Sequence, residues 1–245
     1  MSLRVTGAVA ARVLAQLRRD PRTIALIVGV PCLLQTLLKE LFAGSSPVFQ
    51  HVGAPLLGLF PFVTMFLVTS ITMLRERTTG TLERLMTLPL AKLDLLAGYA
   101  IAFGVLAAVQ AAAVCVVGFA LLGLHAPHGA VLVALLAIAN ALLGMALGLL
   151  VSAFARTEFQ AVQFMPALIF PQLLLCGLFV PRSAMAPLLE GLSWALPLTY
   201  AYDALARTIN PAPLGIALLL DVIVVVATGI AALVLGALTL RRRTA

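Results

Sequence analysis

Charge is the scarcest commodity in this chain: 16 Lys and Arg and 9 Asp and Glu are spread over 245 residues, 10% of the total, where a soluble domain carries roughly 25%. So few charges cannot clothe a water-exposed surface, which excludes a soluble globule, and the composition fits no disordered, collagen or coiled-coil class. Cysteine is nearly absent. Cys32, Cys115 and Cys176 are three, an odd number, each inside an apolar run, so neither a disulfide framework nor a zinc spacing exists. Lysine is rarer still: neither Lys39 nor Lys92 follows a glycine, so there is no phosphate-binding P-loop. GxSxG, HExxH and a helix-opening GxGxxG are missing as well. The chain is therefore expected to hydrolyse no nucleotide, to do no covalent chemistry and to hold no cofactor of its own. His51, His125 and His128 fall in predicted outward loops; the last two could hold a surface metal, but without a third ligand nearby they read as a solvated turn.

What is abundant is apolar sequence, 62% of the residues, with a mean hydropathy of +1.13. A bilayer core of about 30 Å takes about 20 apolar residues. The stretches free of Asp, Glu, Lys and Arg are 23–38, 41–74, 95–155, 159–181 and 222–240. Two are too long for one crossing. Gly44, Ser45, Ser46 and Pro47, then Gly53, read as a turn and loop ahead of the second span, and the pentapeptide at 125–129 splits the third stretch. Six spans result, at 23–43, 54–74, 95–124, 130–155, 159–180 and 214–240. The basic leader is about 22 residues long, contains Asp20 and Pro21 and shows no small-x-small cleavage site, so the first span is expected to stay.

The basic residues then divide sharply. With both termini on one side, that side carries Arg4, Arg12, Arg18, Arg19, Arg22, Arg75, Arg77, Arg84, Lys92, Arg156 and the cluster at 241–243, thirteen in all, against Lys39, Arg182 and Arg207 opposite. This positive-inside bias puts both termini in the cytoplasm. It also accounts for the net charge of +7 without invoking nucleic acid as a partner.

Three stretches carry more than topology. At about 100° per residue, Leu3, Val5, Val9, Ala10, Val13, Leu14 and Leu17 share one arc of segment 3–19, and Arg4, Arg12, Arg18 and Arg19 the other. The pattern predicts an interfacial helix with its apolar face in the lipid, the alternative being an unstructured basic tail. Asp221 is the one acid clearly inside a span, a structural or solvated group with Arg207 or Arg182 as partner, or else a proton site. Segment 75–94 packs seven charges into twenty residues, yet repeats Leu82, Leu85, Met86 and Leu88 at near-helical spacing before Pro89. It reads as a short cytoplasmic helix that docks on something, or as a solvated loop that anchors topology.

That segment, RERTTGTLERLMTLPLAKLDLLAGY, resembles the cytoplasmic signature of the type-2 ATP-binding-cassette permeases in Arg75, Glu76, Gly80, Thr81, Leu82, Glu83 and the Thr87–Leu90 end. Segment 176–207 is similar to the family's second hallmark, in Gly177, Phe179, Pro181, the Leu196–Tyr200 run and Asp203 to Arg207. The nearest likeness is to short permeases of bacterial drug exporters of the daunorubicin type. Two departures stand out: Tyr99, where a lysine commonly follows the glycine, and Arg182 after Pro181.

The resemblance implies an all-α integral membrane protein, one permease domain over residues 1–245: six spans, an interfacial helix within 1–21, a coupling helix within 75–94, and short re-entrant helices within 182–213. It implies half of a pore in a bacterial cell membrane, paired with a second copy or a paralogue. Two ABC ATPase subunits below would bind ATP and Mg. The ATPase contacts would be Arg75, Glu76, Arg77, Gly80, Thr81, Leu82, Glu83, Arg84 and Leu85, with Arg156 and Glu158 as a second contact. Phe60, Phe62 and Phe66 in the second span, and Gln163, Phe164, Phe170 and Gln172 in the fifth, would offer a path to a hydrophobic or amphipathic substrate; as bare aromatics in spans they read equally as lipid-facing or packing groups. The rival function is a proton-coupled transporter using Asp221.

Overall fold

The computed structural model describes residues 3–81, 84 and 92–239, without the side chains of 92 and 93. Ten α-helices are assigned over them, with no strand among the described residues: α1 Leu3–Arg18, α2 Pro21–Leu41, α3 Ser46–Thr78, α4 Lys92–Val116, α5 Ala130–Val151, α6 Glu158–Phe164, α7 Phe170–Leu175, α8 Pro187–Ser193, α9 Pro197–Thr208 and α10 Gly215–Thr239. Five helical runs among the described residues are long and apolar enough to cross a membrane: Pro21–Leu41, Ser46–Thr78, Asp94–Leu121, Ala130–Val151 and Gly215–Thr239. The fifth predicted span, at 159–180, is one helical run in three parts, α6 and α7 joined by a π-helical turn at Met165–Ile169. Pro166 and Pro171 each lack the N–H that would continue the α ladder, and the wider turn absorbs the mismatch.

α3 corrects the sequence reading at both ends. Ser45 stands at its N-cap and Pro47 within its first two positions, where a missing N–H costs nothing, so the expected loop at 44–53 is largely helix. Its last turn carries Arg75 and Arg77. At 33 residues it is about 50 Å long, about 20 Å more than the hydrocarbon core.

α3 and α5 form the central seam. Between helices in lipid there is little hydrophobic drive, so close backbone contact and hydrogen bonds must hold them. Gly144 and Gly148 provide it: a Cβ on either would collide with the carbonyl of Phe62 or Phe66. Thr69 adds a cross-helix bond, its hydroxyl donating to the Met145 carbonyl at 3.2 Å. α4 packs on α5 and α1, α10 on α5, and α9 against α10, α3 and α5. Aliphatic side chains stay exposed along α2, α4 and α10, for instance Leu33, Val109 and Ile230, where hydrocarbon can cover them.

Buried amides pin α2. Pro31 has no N–H for the Ile27 carbonyl, and Gln110 of α4 donates to that carbonyl at 2.9 Å. Gln35 donates to the Gly53 carbonyl at 3.0 Å. α1 corrects a second expectation. Its apolar arc does not face lipid: Val9, Ala10 and Val13 are buried against α4, and Val9 comes so close to Gly98 that a Cβ there would lie 2.6 Å from it.

Candidate functional site

The long α3 delivers two neighbouring charges to the end of the bundle that carries most basic residues, here the basic end. Arg75 reaches α6, its Nε and Nη2 donating to the two Glu158 oxygens at 2.7 and 2.9 Å. This fork is exposed, 62% and 51% for the two side chains, and Arg75 holds the Glu158 carboxyl below the usual carboxylate range. Glu76 points the other way and is buried. Arg12 of α1 donates from Nη2 to both its oxygens, at 3.0 and 3.1 Å. Arg12, expected among the phosphate-facing arginines, is thus turned inward. The Tyr99 hydroxyl, at one of the two positions that depart from the family pattern, is buried with no hydrogen bond; Tyr99, Glu76, Gln16 and Asp20 line a pocket of about 430 Å³. Arg77 follows on α3, its Nε buried and without a hydrogen bond.

Gly80 then ends the helix with φ of +70°, a left-handed turn that glycine adopts without strain. Arg84 donates its N–H to the Gly80 carbonyl at 3.0 Å, which restarts the chain as a helical turn, and the Thr79 and Thr81 hydroxyls meet at 3.0 Å. Arg75 to Thr78, expected within the coupling segment, are thus the last turn of α3. Leu82, Glu83 and Leu85 lie outside the described residues. The second contact forms a tight corner before α6, with the Arg156 N–H on Gln160 Oε1 at 2.8 Å and Thr157 capping the Gln160 N–H at 3.2 Å. The fold thus gathers Arg75, Glu76, Arg77, Gly80, Thr81, Arg156 and Glu158 at one end.

The expected path residues do not come together. A groove of about 570 Å³ runs between α2, α3 and the chain beyond α7. Of the seven, Phe60 alone lines it. Phe62 and Phe66 are 0% exposed, core residues beneath the α3–α5 seam, because a four-residue step puts them on one face, about 100° round the helix from Val63 and Leu67. Phe164 packs half-buried on that core; Gln163 and Phe170 are exposed elsewhere. Gln172 is taken up by backbone, donating to the Leu168 carbonyl at 2.9 Å and accepting from the Leu198 N–H at 3.4 Å. Apart from Phe179, Thr23 and Thr64 the rest of the groove wall is aliphatic, such as Leu26, Val30, Leu34, Val63 and Leu67, residue types with no signal of their own in an apolar span.

At the far end, Asp221 is held by Arg207, whose Nε donates at 2.7 Å, one of the two partners expected from sequence. Arg182 donates to Asp203 at 2.6 Å and lies 4.3 Å over the Trp194 ring. Burial pushes the Asp203 carboxyl up, and Arg182 partly offsets it. The histidines are clamps: His125 contacts the Gly123 carbonyl at 2.9 Å, and His128 the carbonyls of Asn210 and Ala212 at 2.9 and 3.1 Å. No group of three or more metal-ligating side chains exists among the described residues. Asn140, which sequence reasoning missed, donates to the Ala201 carbonyl of α9 at 3.2 Å; a single amide in an apolar span was the available signal.

Apolar crossing helices with a charged, interlocked basic end define a multi-pass membrane permease domain. The chain belongs to the ABC-2 type transporter family, whose family model matches residues 4–209. Among curated proteins it is similar to ABC transporter G family member 20 of Dictyostelium discoideum, 26% identical over 175 residues, 70% of this chain and 24% of that protein. It is also similar to the probable multidrug ABC transporter permease YbhR of Escherichia coli K12, 29% identical over 151 residues, 60% of this chain and 40% of YbhR. The matched stretches span about a quarter to two fifths of those relatives.

Proposed function

We propose that this chain is the permease of an ATP-driven exporter in a bacterial inner membrane, with its basic end and both termini in the cytoplasm. ATPase subunits, two in the full assembly, dock on the segment after Gly80 and on the corner at Arg156, and they bind the ATP and Mg. The supporting observation is the double clasp on α3. Arg75–Glu158 and Arg12–Glu76 tie one protruding helix end to α6 on one side and α1 on the other, so a displacement of the docked segment pulls on three helices together.

The groove supports the other half of the reading. It is open along one side, and among its lining residues only Thr23 and Thr64 are polar. A second permease copy or a paralogue would close it into a path, and its apolar wall suits a hydrophobic or amphipathic cargo. The multidrug designation of YbhR agrees with such a cargo. Co-reconstitution with a cognate ABC ATPase provides the test. Leu85→Asp or Glu83→Ala should leave ATP hydrolysis running while transport falls about tenfold or more. Transport unchanged in both variants, or transport in vesicles without any ATPase, would overturn the proposal.

A further inference from the structure

α9 carries both members of an unused ion pair. Asp203 and Arg207 sit four residues apart, acid before base, the favourable order for a pair on a helix surface. With Ala206 they face one outer pocket of about 380 Å³. Yet each reaches off the helix: Asp203 to Arg182, in the 3₁₀ turn Arg182–Ala184 before α8, and Arg207 to Asp221 on α10. Four charges in two cross-element pairs have a second neutral arrangement in which Asp203 and Arg207 bond each other.

The geometry points to a partner-exchange latch at the far end. In the closed arrangement seen here, α9 is clasped to the Arg182 turn and to α10. In the open one, Asp203 and Arg207 pair within α9, Arg182 turns to the pocket it lines, and Asp221, its side chain 7% exposed, gives up its partner. Ordinarily, parting a partly buried ion pair strands a charge and is costly. Here the exchange leaves neither charge of α9 alone and the cost falls on Asp221, so the closed arrangement is the favoured one and the open one its excited state. The Trp194 ring under Arg182 favours the closed arrangement. The helix itself stays anchored at its start and first turn, where Gln172 and Asn140 hold the Leu198 N–H and the Ala201 carbonyl, so the motion belongs to its C-terminal half.

This latch rests on the export reading, and its test separates the two. The reporter is Ala206→Cys in a chain whose native cysteines are replaced by alanine, labelled with a membrane-impermeant maleimide in intact cells. Arg182→Asp with Asp203→Arg keeps a closed ion pair but sets a second arginine four residues before Arg207, where like charges repel. Labelling should fall about fivefold. Adding Arg207→Asp and Asp221→Arg restores both arrangements and should recover most of it; the Trp194 ring has no cation over it in either variant, so its effect cancels. Arg182→Gln breaks only the closed pair and should raise labelling by about the same factor. Equal labelling of the double and quadruple variants, or no rise in Arg182→Gln, overturns the latch. Failure of the ATPase to change labelling of the otherwise native reporter counts against the export reading and leaves the swap comparison standing.

Discussion

The two ends of the bundle use the same chemistry to opposite effect. Each has two Arg–carboxylate pairs. At the basic end the inner members, Arg75 and Glu76, are adjacent on α3 and diverge by about 100°, so they face different helices and cannot meet. At the far end the inner members, Asp203 and Arg207, share one face of α9. The first arrangement is a strut: Arg75 and Glu76 cannot take each other as partners. The second is exchangeable. What separates them is residue spacing, one step against four, and not the number or length of the bonds.

The comparison requires that motion at one end reach the other through an unyielding seam, and the strongest way to break it is there. Gly144→Leu forces a side chain against the Phe62 backbone, which cannot step aside. Thermal unfolding in detergent should show a loss of about 3 kcal/mol or outright failure to fold. Next comes the strut itself. Glu76→Ala leaves the Arg12 guanidinium, 34% exposed, beside an empty apolar slot; a loss of about 2 kcal/mol is expected, less than for a fully buried pair because water reaches the arginine. Arg12→Met with Glu76→Leu should restore most of that stability. If the double variant also couples ATP hydrolysis to transport like the parent, the strut needs packing alone and not charge. Smaller still, Asn140→Leu removes the bond to α9 and should cost about 1 kcal/mol, together with faster labelling of Ala206→Cys.

Much of the fold could be read from the chain because apolar length and the sign of loop charges are local properties. The crossing helices fall where those runs lie. The short helices before α10 lie within the expected 182–213. Proline marked the broken helix, since Pro166 and Pro171 remove donors wherever they stand. What escaped was set by partners distant in sequence. Arg12 and Glu76 are 64 residues apart, and Gln110 is 83 from the carbonyl it satisfies. Nothing local turns Arg12 inward. Pro47 misled for the opposite reason: the same residue that breaks a helix in its middle starts one in its first turn. The path residues were chosen for aromaticity, a chemical cue, whereas burial on α3 is decided by its packing on α5. Arg75, Glu76 and Glu158 lie at one end of the bundle because a helix end has few places to put adjacent charges.

The exposed arm of the strut gives the smallest effect and the finest discrimination. Arg75 lowers the folded-state Glu158 pKa relative to the free chain. A depressed carboxylate contributes stability that is full above its unfolded value, near 4.3, and is lost as pH falls through the folded one. From pH 7 down to about 5 the pair should therefore stay closed, and Glu158→Gln should lower Tm by no more than about 2 °C, as expected for a solvent-screened pair. The far-end latch behaves differently over the same interval. Burial raises Asp203, so its protonation begins sooner on acidification, which removes the closed bond to Arg182 and the alternative bond to Arg207 together. On acidification, labelling of Ala206→Cys, normalised at each pH to that of a free thiol to remove the loss of thiolate, should change at a higher pH than that of a cysteine at Thr157, beside Glu158 at the strut, measured in inverted vesicles. Equal responses at the two positions would erase the distinction between strut and latch, since both would then be ordinary surface ion pairs answering to the same protons.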